Sequence, residues 1–237
     1  MAEVLLKGGS QNNEDDIIQV IFDKLNISQG SYLEIGVNNY TPDRSIQCNS
    51  IKLINKGWTG SLFDANFQHP LVKNILVSTD NVNELIDTQG AKIDFFSIDI
   101  DSYDWYIVKE ILQKKLIDVT VFCVETNNFS GHCFLDRILK LDAPAPNTKG
   151  YEKSDAFGAT TYSFNLLMEH FGYKLIATSD EGINAFFIKD EFSNLFQKAG
   201  DLKNLYKDSN NRITDWNRRG PSHFMTTAKK EMLCLKQ

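Results

Sequence analysis

The sequence has few of the features that mark secreted, membrane-spanning or nucleic-acid-binding proteins. Its 4 cysteines show no C-x-x-C spacing, and Cys123 falls inside an apolar run, so we expect free thiols in a reducing compartment. No apolar stretch approaches the roughly 20 residues that span a bilayer, and the N-terminus shows no signal-peptide pattern. The net charge of −6 disfavours binding to the phosphates of nucleic acids. These absences predict a cytoplasmic protein without a membrane span or a nucleic-acid partner.

The charge is distributed unevenly along the chain. Residues 1–189 carry 16 basic and 25 acidic side chains, whereas residues 190–237 carry 9 basic and 6 acidic ones. The hydrophobic content of 42% is enough for one sizeable core. We therefore expect one domain over residues 1–189. We interpret residues 190–237 as a basic C-terminal extension, either a solvated helical tail, a lid, or a contact in a homodimer.

Strand and helix patterns alternate between residues 14 and 189. Helices are predicted at 14–25, 42–57, 81–90, 104–115 and 161–172, and strands at 31–37, 58–66, 74–79, 92–100 and 118–126. Two further strands, 173–179 and 183–189, are separated by so short a connection that they must pair antiparallel. The order predicts a mostly parallel, seven-stranded α/β sheet with helices on both faces and a terminal antiparallel hairpin.

Residues at the strand ends carry the functional information, because ligands of open α/β sheets bind beyond the carboxyl ends of the strands. Glu34, Gly36 and Asn38 lie where the first strand ends, and Gly36 allows a sharp turn and a close approach of a ligand. The G-x-G-x-x-G fingerprint of NAD-binding folds is missing. Asp64 ends the second strand, where its carboxylate can accept hydrogen bonds from both hydroxyls of a ribose. The alternative is that Asp64 caps a helix.

The order of several sequence blocks resembles class I S-adenosylmethionine-dependent methyltransferases, and within them FkbM-type sugar and small-molecule O-methyltransferases. The blocks are SQNNEDDII (10–18), LEIGV (33–37), NKGWTGSLFDA (55–65), SIDIDSYDWYI (97–107), VETN (124–127), GATTYSFNLL (158–167), GYKLI (172–176) and NAFFI (184–188). The resemblance implies a Rossmann-like fold and S-adenosylmethionine as cofactor. It also implies an acceptor hydroxyl on a sugar, glycan unit or related small molecule. The implied cofactor-binding residues are Gln11, Asp15, Glu34, Gly36, Asn38, Asp64, Ala65, Asp80, Asn81 and Asp99.

The segment SIDIDSYDWY (97–106) is also similar to the D-A-D-x-x-x-Y segment of divalent-metal-dependent O-methyltransferases of the catechol and caffeoyl-CoA type. This resemblance implies that Asp99, Glu125 and Asn127 bind Mg²⁺ or Mn²⁺, ions that prefer oxygen ligands. Asp99 and Asp101 would then take part in catalysis. His132, which follows the fifth strand, is the candidate general base near the transferred methyl group.

Other interpretations of the same residues stay open. Asp101 and Asp104 could cap the following helix while Asp99 contacts the cofactor without a metal. The Asp99-x-Asp101 pair could also be the D-x-D motif of a metal-dependent glycosyltransferase, which would leave Glu34 and Asp64 unexplained. A small-molecule N-methyltransferase is a further alternative, and so is a binding protein that kept the fold and lost catalysis.

Overall fold

A computed structural model describes residues 8–38, 46–87, 92–127, 135–141, 158–180, 182–196 and 225–233. The strands are β1 (Gly8–Gly9), β2 (Ser31–Ile35), β3 (Ile46–Gln47), β4 (Thr59–Asp64), β5 (Val72–Asn74), β6 (Lys92–Ile98), β7 (Asp118–Glu125), β8 (Ile138–Leu139), β9 (Tyr173–Thr178), β10 (Asn184–Lys189) and β11 (Met225–Thr226). The α-helices are α1 (Glu14–Leu25), α2 (Ile51–Asn55), α3 (Val82–Asp87), α4 (Asp104–Lys114), α5 (Thr161–His170) and α6 (Ala228–Glu231), and a 3₁₀ helix spans Asp190–Leu195.

Seven of these strands form one sheet in the order β5-β4-β2-β6-β7-β10-β9. The five strands from β5 to β7 are parallel, whereas β10 pairs antiparallel with both β7 and β9. This arrangement confirms the predicted Rossmann-like sheet with its terminal antiparallel hairpin. Because β2, β4, β6 and β7 run in the same direction, their carboxyl ends meet at one edge of the sheet.

The sheet is buried on both faces, which explains the continuous apolar runs in its central strands. In β7, Phe122 and Val124 belong to the core cluster packed against α4 and α5, whereas Val121 and Cys123 belong to the cluster packed against α1. Alternate residues of a strand point to opposite faces, so two apolar layers need an apolar residue at nearly every position. A charged residue near the end of such a strand is therefore unlike its apolar neighbours and indicates a role other than core packing.

Two predicted elements differ from the structure. Within the described part of segment 42–57, residues 46–47 form β3, which pairs with β1, and only residues 51–55 are helical. The helix begins late because the Glu34 carboxylate holds the backbone N–H groups of the two preceding residues. The predicted strand 74–79 is β5, at residues 72–74, after which the side chain of Asn81 holds the chain in a turn.

Part of the C-terminal extension returns to the domain. Strand β11 pairs antiparallel with β8, and the Asp136 carboxylate accepts hydrogen bonds from the N–H groups of Ala228 (2.7 Å) and Lys229 (3.1 Å). Ala228 is fully buried. The division at residue 189 stays a prediction. Among the described residues, no helix has the length and apolar character needed to cross a membrane.

Candidate active site

The turn after β2 brings the ends of three strands together. Gly36 donates a hydrogen bond from its N–H to the carbonyl of Phe63 (2.8 Å), and Asp99 donates from its N–H to the carbonyl of Ile35 (2.9 Å). Gly36 has a φ of +93°, and a Cβ there would lie 1.6 Å from the carbonyl oxygen of Asp99. Glycine is therefore required at this position, because the backbone of Asp99 passes directly over it.

Glu34 lies under this turn and is almost fully buried. Its Oε1 accepts a hydrogen bond from the N–H of Asn49 (2.7 Å), and its Oε2 accepts one from the N–H of Ser50 (2.8 Å). Burial is the main cause that raises the pKa of Glu34 to about 7. Glu34 lines the cleft, but both of its oxygens accept hydrogen bonds from the backbone before α2. Gln47 and Asn49, which belong to this backbone segment, also line the cleft.

Asp64 closes a turn at the end of β4. Its Oδ1 accepts hydrogen bonds from the N–H groups of Asn66 (2.7 Å) and Phe67 (2.6 Å), as aspartate commonly does in turns. Within the described ranges, Oδ2 accepts no such bond, and the residue lines the cleft. One oxygen of Asp64 thus shapes the turn, while the other is available to a ligand.

These strand ends border a cleft of about 1340 Å³. Most of the predicted site residues line it: Gln11, Glu34, Gly36, Asn38, Asp64, Ala65, Asp99, Asp101 and Glu125. The lining includes His69 but, within the described part of the chain, no Lys or Arg. Among the described lining residues, the side chains with a formal charge are therefore carboxylates.

Three of these acids form a cluster at the ends of β6 and β7. Asp99, Asp101 and Glu125 each offer an oxygen, and these oxygens lie within 4.8 Å of one another. Burial first, and then the charge of Asp101, raises the pKa of Asp99 to about 8. Burial and the charge of Asp99 raise the pKa of Glu125 well above its usual range. Because a hydrogen bond joins the side chains of Asp99 and Glu125, the pair retains a proton at neutral pH when no cation is bound.

A buried aspartate shapes the loop that carries Asp101. Asp104, in the first turn of α4, accepts hydrogen bonds from the N–H groups of Ile100 (2.8 Å) and Ser102 (3.0 Å). Asp101 lies between them with a φ of +59°, a left-handed conformation that aspartate tolerates better than most residues. Burial is the main cause that raises the pKa of Asp104 to about 6. Asp104 thus holds the turn that brings Asp101 to the cluster.

Other predicted site residues lie away from the cleft wall. The Asp15 carboxylate accepts a hydrogen bond from the N–H of Ser10 (3.2 Å) at the start of α1. Asn81 accepts one from the N–H of Ser78 (2.8 Å), and Asp80 beside it is exposed. Asn127 donates its backbone N–H to the carbonyl of Ala159 (2.7 Å). The binding roles of Asp15, Asp80, Asn81 and Asn127 stay predictions, and His132 lies outside the described residues.

Several cleft residues were not among the sequence-based candidates. They include Gln47, Asn49, Phe67, His69, Leu76, Val77, Ser78 and Asn184. Gln47 and Asn49 fell inside a segment predicted to be helical, so their position at a strand end was hidden. Asn184 gave a signal that could have been used, because it is a polar residue at the start of the apolar strand NAFFI.

No protein-family model matches the sequence, and a search of curated proteins finds no relative. Among solved structures, the chain is similar to the MycE methyltransferase of the mycinamycin biosynthetic pathway in complex with Mg, SAH and mycinamycin VI. The TM-score is 0.43 at 11% identity over 73% of this chain, which spans only 48% of the MycE chain. It is also similar to the Burkholderia thailandensis 1,6-didemethyltoxoflavin-N1-methyltransferase with bound 1,6-didemethyltoxoflavin and S-adenosylhomocysteine. There the TM-score is 0.40 at 10% identity, over 75% of this chain and 77% of the other. The functional interpretation of this chain therefore rests on its own cleft.

Proposed function

We propose that the protein is an S-adenosylmethionine-dependent methyltransferase that acts on a hydroxyl of a sugar, glycan unit or related small molecule. The observation that carries the proposal is the charge of the cleft, which lies at the carboxyl ends of parallel strands and has acidic lining residues but no Lys or Arg within the described ranges. The sulfonium and ammonium groups of S-adenosylmethionine outweigh its single carboxylate, so such a cleft attracts it. The diphosphates of NAD and nucleotide sugars would be repelled.

The cofactor fits the half of the cleft formed by β2 and β4. Oδ2 of Asp64 is the acceptor available for a ribose hydroxyl. Ala65, Phe67 and Leu76 offer apolar surface on the same wall for an adenine ring. The turn at Gly36 would leave room for the methionyl part, and Gln11 of the N-terminal segment also lines the cleft. The sulfonium would then point towards Asp99 and the carboxylate cluster.

The carboxylate cluster fits a divalent cation. Asp99, Asp101 and Glu125 supply oxygen atoms close enough to share one ion, and oxygen-only sites suit Mg²⁺ or Mn²⁺. A bound ion would supply a Lewis acid that lowers the pKa of the acceptor hydroxyl. The protein's own task is to hold that hydroxyl in line with the methyl group and to exclude water from the reacting atoms. His132 stays the proposed general base.

One observation favours a second candidate function. Asp99 and Asp101 reach the same cluster, as the D-x-D motif of a metal-dependent glycosyltransferase requires. A nucleotide sugar carries a diphosphate, however, and a single divalent ion would have to neutralise both the diphosphate and the surrounding carboxylates.

The cofactor assignment is tested by calorimetric titration of S-adenosylhomocysteine into matched variants. Asp64→Ala should weaken binding by about 1.5–3 kcal/mol, because it removes a charge-assisted hydrogen bond to the ribose. Asp23→Ala is the control, since Asp23 is an exposed acid of α1 that does not line the cleft, and it should leave the affinity unchanged. Equal affinity in wild type and a folded Asp64→Ala variant would remove the ribose role from Asp64.

A further inference from the structure

The structure brings a different amide to the cleft from the one expected as a metal ligand. Asn127 does not line the cleft, whereas Asn184, the first residue of β10, does. Asn184 is only 3% exposed. Buried polar side chains normally form hydrogen bonds, so the partners of the Asn184 amide show what holds it at the cleft.

The strand register places Asn184 beside Glu125. The two residues are direct partners in the antiparallel pairing of β10 with β7. The next pair, Thr126 and Ile183, is joined by a backbone hydrogen bond from the N–H of Thr126 to the carbonyl of Ile183 (2.5 Å). Glu125 and Asn184 therefore form the non-hydrogen-bonded pair, in which opposite side chains lie closest together.

The orientation of the Asn184 amide is fixed by a buried glutamate. Its Nδ2 donates a hydrogen bond to Oε1 of Glu14 (2.9 Å), and Glu14 is fully buried at the start of α1. Glu14 also accepts hydrogen bonds from the N–H and Nδ2 of Asn12 (2.8 and 3.1 Å). Because a carboxylate can only accept, the amide nitrogen must face it. Among the described residues, Oδ1 of Asn184 then has no hydrogen-bond partner, although it is buried.

We propose that Oδ1 of Asn184 is a neutral ligand of the divalent cation held by Asp99, Asp101 and Glu125. This inference deepens the proposed function and rests on its metal site. A cation next to Glu125 would satisfy the unpaired oxygen, and an amide oxygen adds coordination without adding further negative charge. Glu14 would orient the ligand by holding its nitrogen, as groups behind metal ligands commonly do.

The inference is tested by titrating Mn²⁺ into the full chain and following free Mn²⁺ by electron paramagnetic resonance, which reads binding rather than activity. Asn184→Ala should raise the Mn²⁺ dissociation constant by about tenfold or more. Asn184→Asp, which keeps an oxygen at the position, should bind Mn²⁺ more tightly than Asn184→Ala. Asn194→Ala is the matched control, because Asn194 is an exposed asparagine that does not line the cleft, and it should behave as wild type. Wild-type affinity in a folded Asn184→Ala variant would overturn the inference.

A measurement on the wild type covers the case in which the variants fail to fold. Crystals grown with Mn²⁺ should show an anomalous peak with Oδ1 of Asn184 within about 2.0–2.6 Å of the ion. An ion held by the carboxylates alone, or a wild type that binds no Mn²⁺, would overturn the inference. A parallel titration with S-adenosylhomocysteine keeps the two proposals apart. If the protein binds S-adenosylhomocysteine and its Mn²⁺ affinity does not depend on Asn184, this inference is refuted and the methyltransferase proposal stands.

Discussion

The buried acids of the cleft predict that the cation-free protein becomes less stable as the pH rises. The pKa of Asp99 is raised from 3.8 to about 8, and that of Glu34 from 4.5 to about 7. Between the ordinary and the raised pKa, the folded protein binds more protons than the unfolded chain. The free energy of unfolding therefore falls with increasing pH across this window.

The size of the effect follows from the shift at Asp99. One pKa unit corresponds to about 1.4 kcal/mol. Asp99 is half-buried, so solvent screens part of the penalty, and we expect it to contribute a loss on the order of 2–3 kcal/mol between pH 5 and pH 8. Adding Mn²⁺ at about 100 times its dissociation constant should restore about 2.7 kcal/mol at pH 8.

The assay is urea unfolding in EDTA at pH 5, 6, 7 and 8, repeated with excess Mn²⁺. Asp99→Asn removes the titrating group, so its stability should depend less on pH than that of wild type. Asp80→Asn is the control, because Asp80 is exposed and lies away from the cleft wall. If the stability of the cation-free protein stays level or increases from pH 5 to pH 8, the reasoning about the carboxylate cluster is wrong.

Three further predictions concern the turn, the C-terminal segment and the base. Gly36→Ala should lower the melting temperature much more than Gly172→Ala, because both glycines have positive φ but only a Cβ at Gly36 meets the Asp99 backbone; equal shifts would contradict the close approach. Asp136→Ala should speed amide hydrogen exchange at Ala228 and Lys229, whose N–H groups lose their acceptor, while S-adenosylhomocysteine affinity stays unchanged; unchanged exchange would show that these two hydrogen bonds contribute little. His132→Ala should slow methyl transfer without changing its requirement for Mg²⁺ or Mn²⁺, and full activity in this variant would exclude His132 as the base.

The sheet and several of its strand-end acids could be predicted because local patterns determine them. Parallel strands buried on both faces require apolar runs, and their carboxyl ends meet at one edge. Asp64, Asp99 and Glu125 follow such runs, so their convergence on one cleft follows from the order of the strands alone. The antiparallel hairpin was predictable for a similar reason, since only a short connection separates its two strands.

Other features depend on contacts between distant segments, which local patterns do not encode. The start of α2 is set by Glu34, a residue of another element, through its bonds to the backbone N–H groups before that helix. The position of Asn184 beside Glu125 depends on the register of β10 against β7. Its orientation depends on Glu14, which is 170 residues away along the chain.

The methyltransferase proposal is tested most directly by calorimetric titration of the full chain with S-adenosylhomocysteine, NAD and UDP-glucose under identical conditions. The turn at Gly36 and the carboxylate of Asp64 predict saturable binding of S-adenosylhomocysteine, and the acidic lining of the cleft predicts no binding of the anionic NAD. UDP-glucose should not bind with or without Mn²⁺. Binding of UDP-glucose in the presence of Mn²⁺, with no binding of S-adenosylhomocysteine, would contradict the proposal and favour a glycosyltransferase.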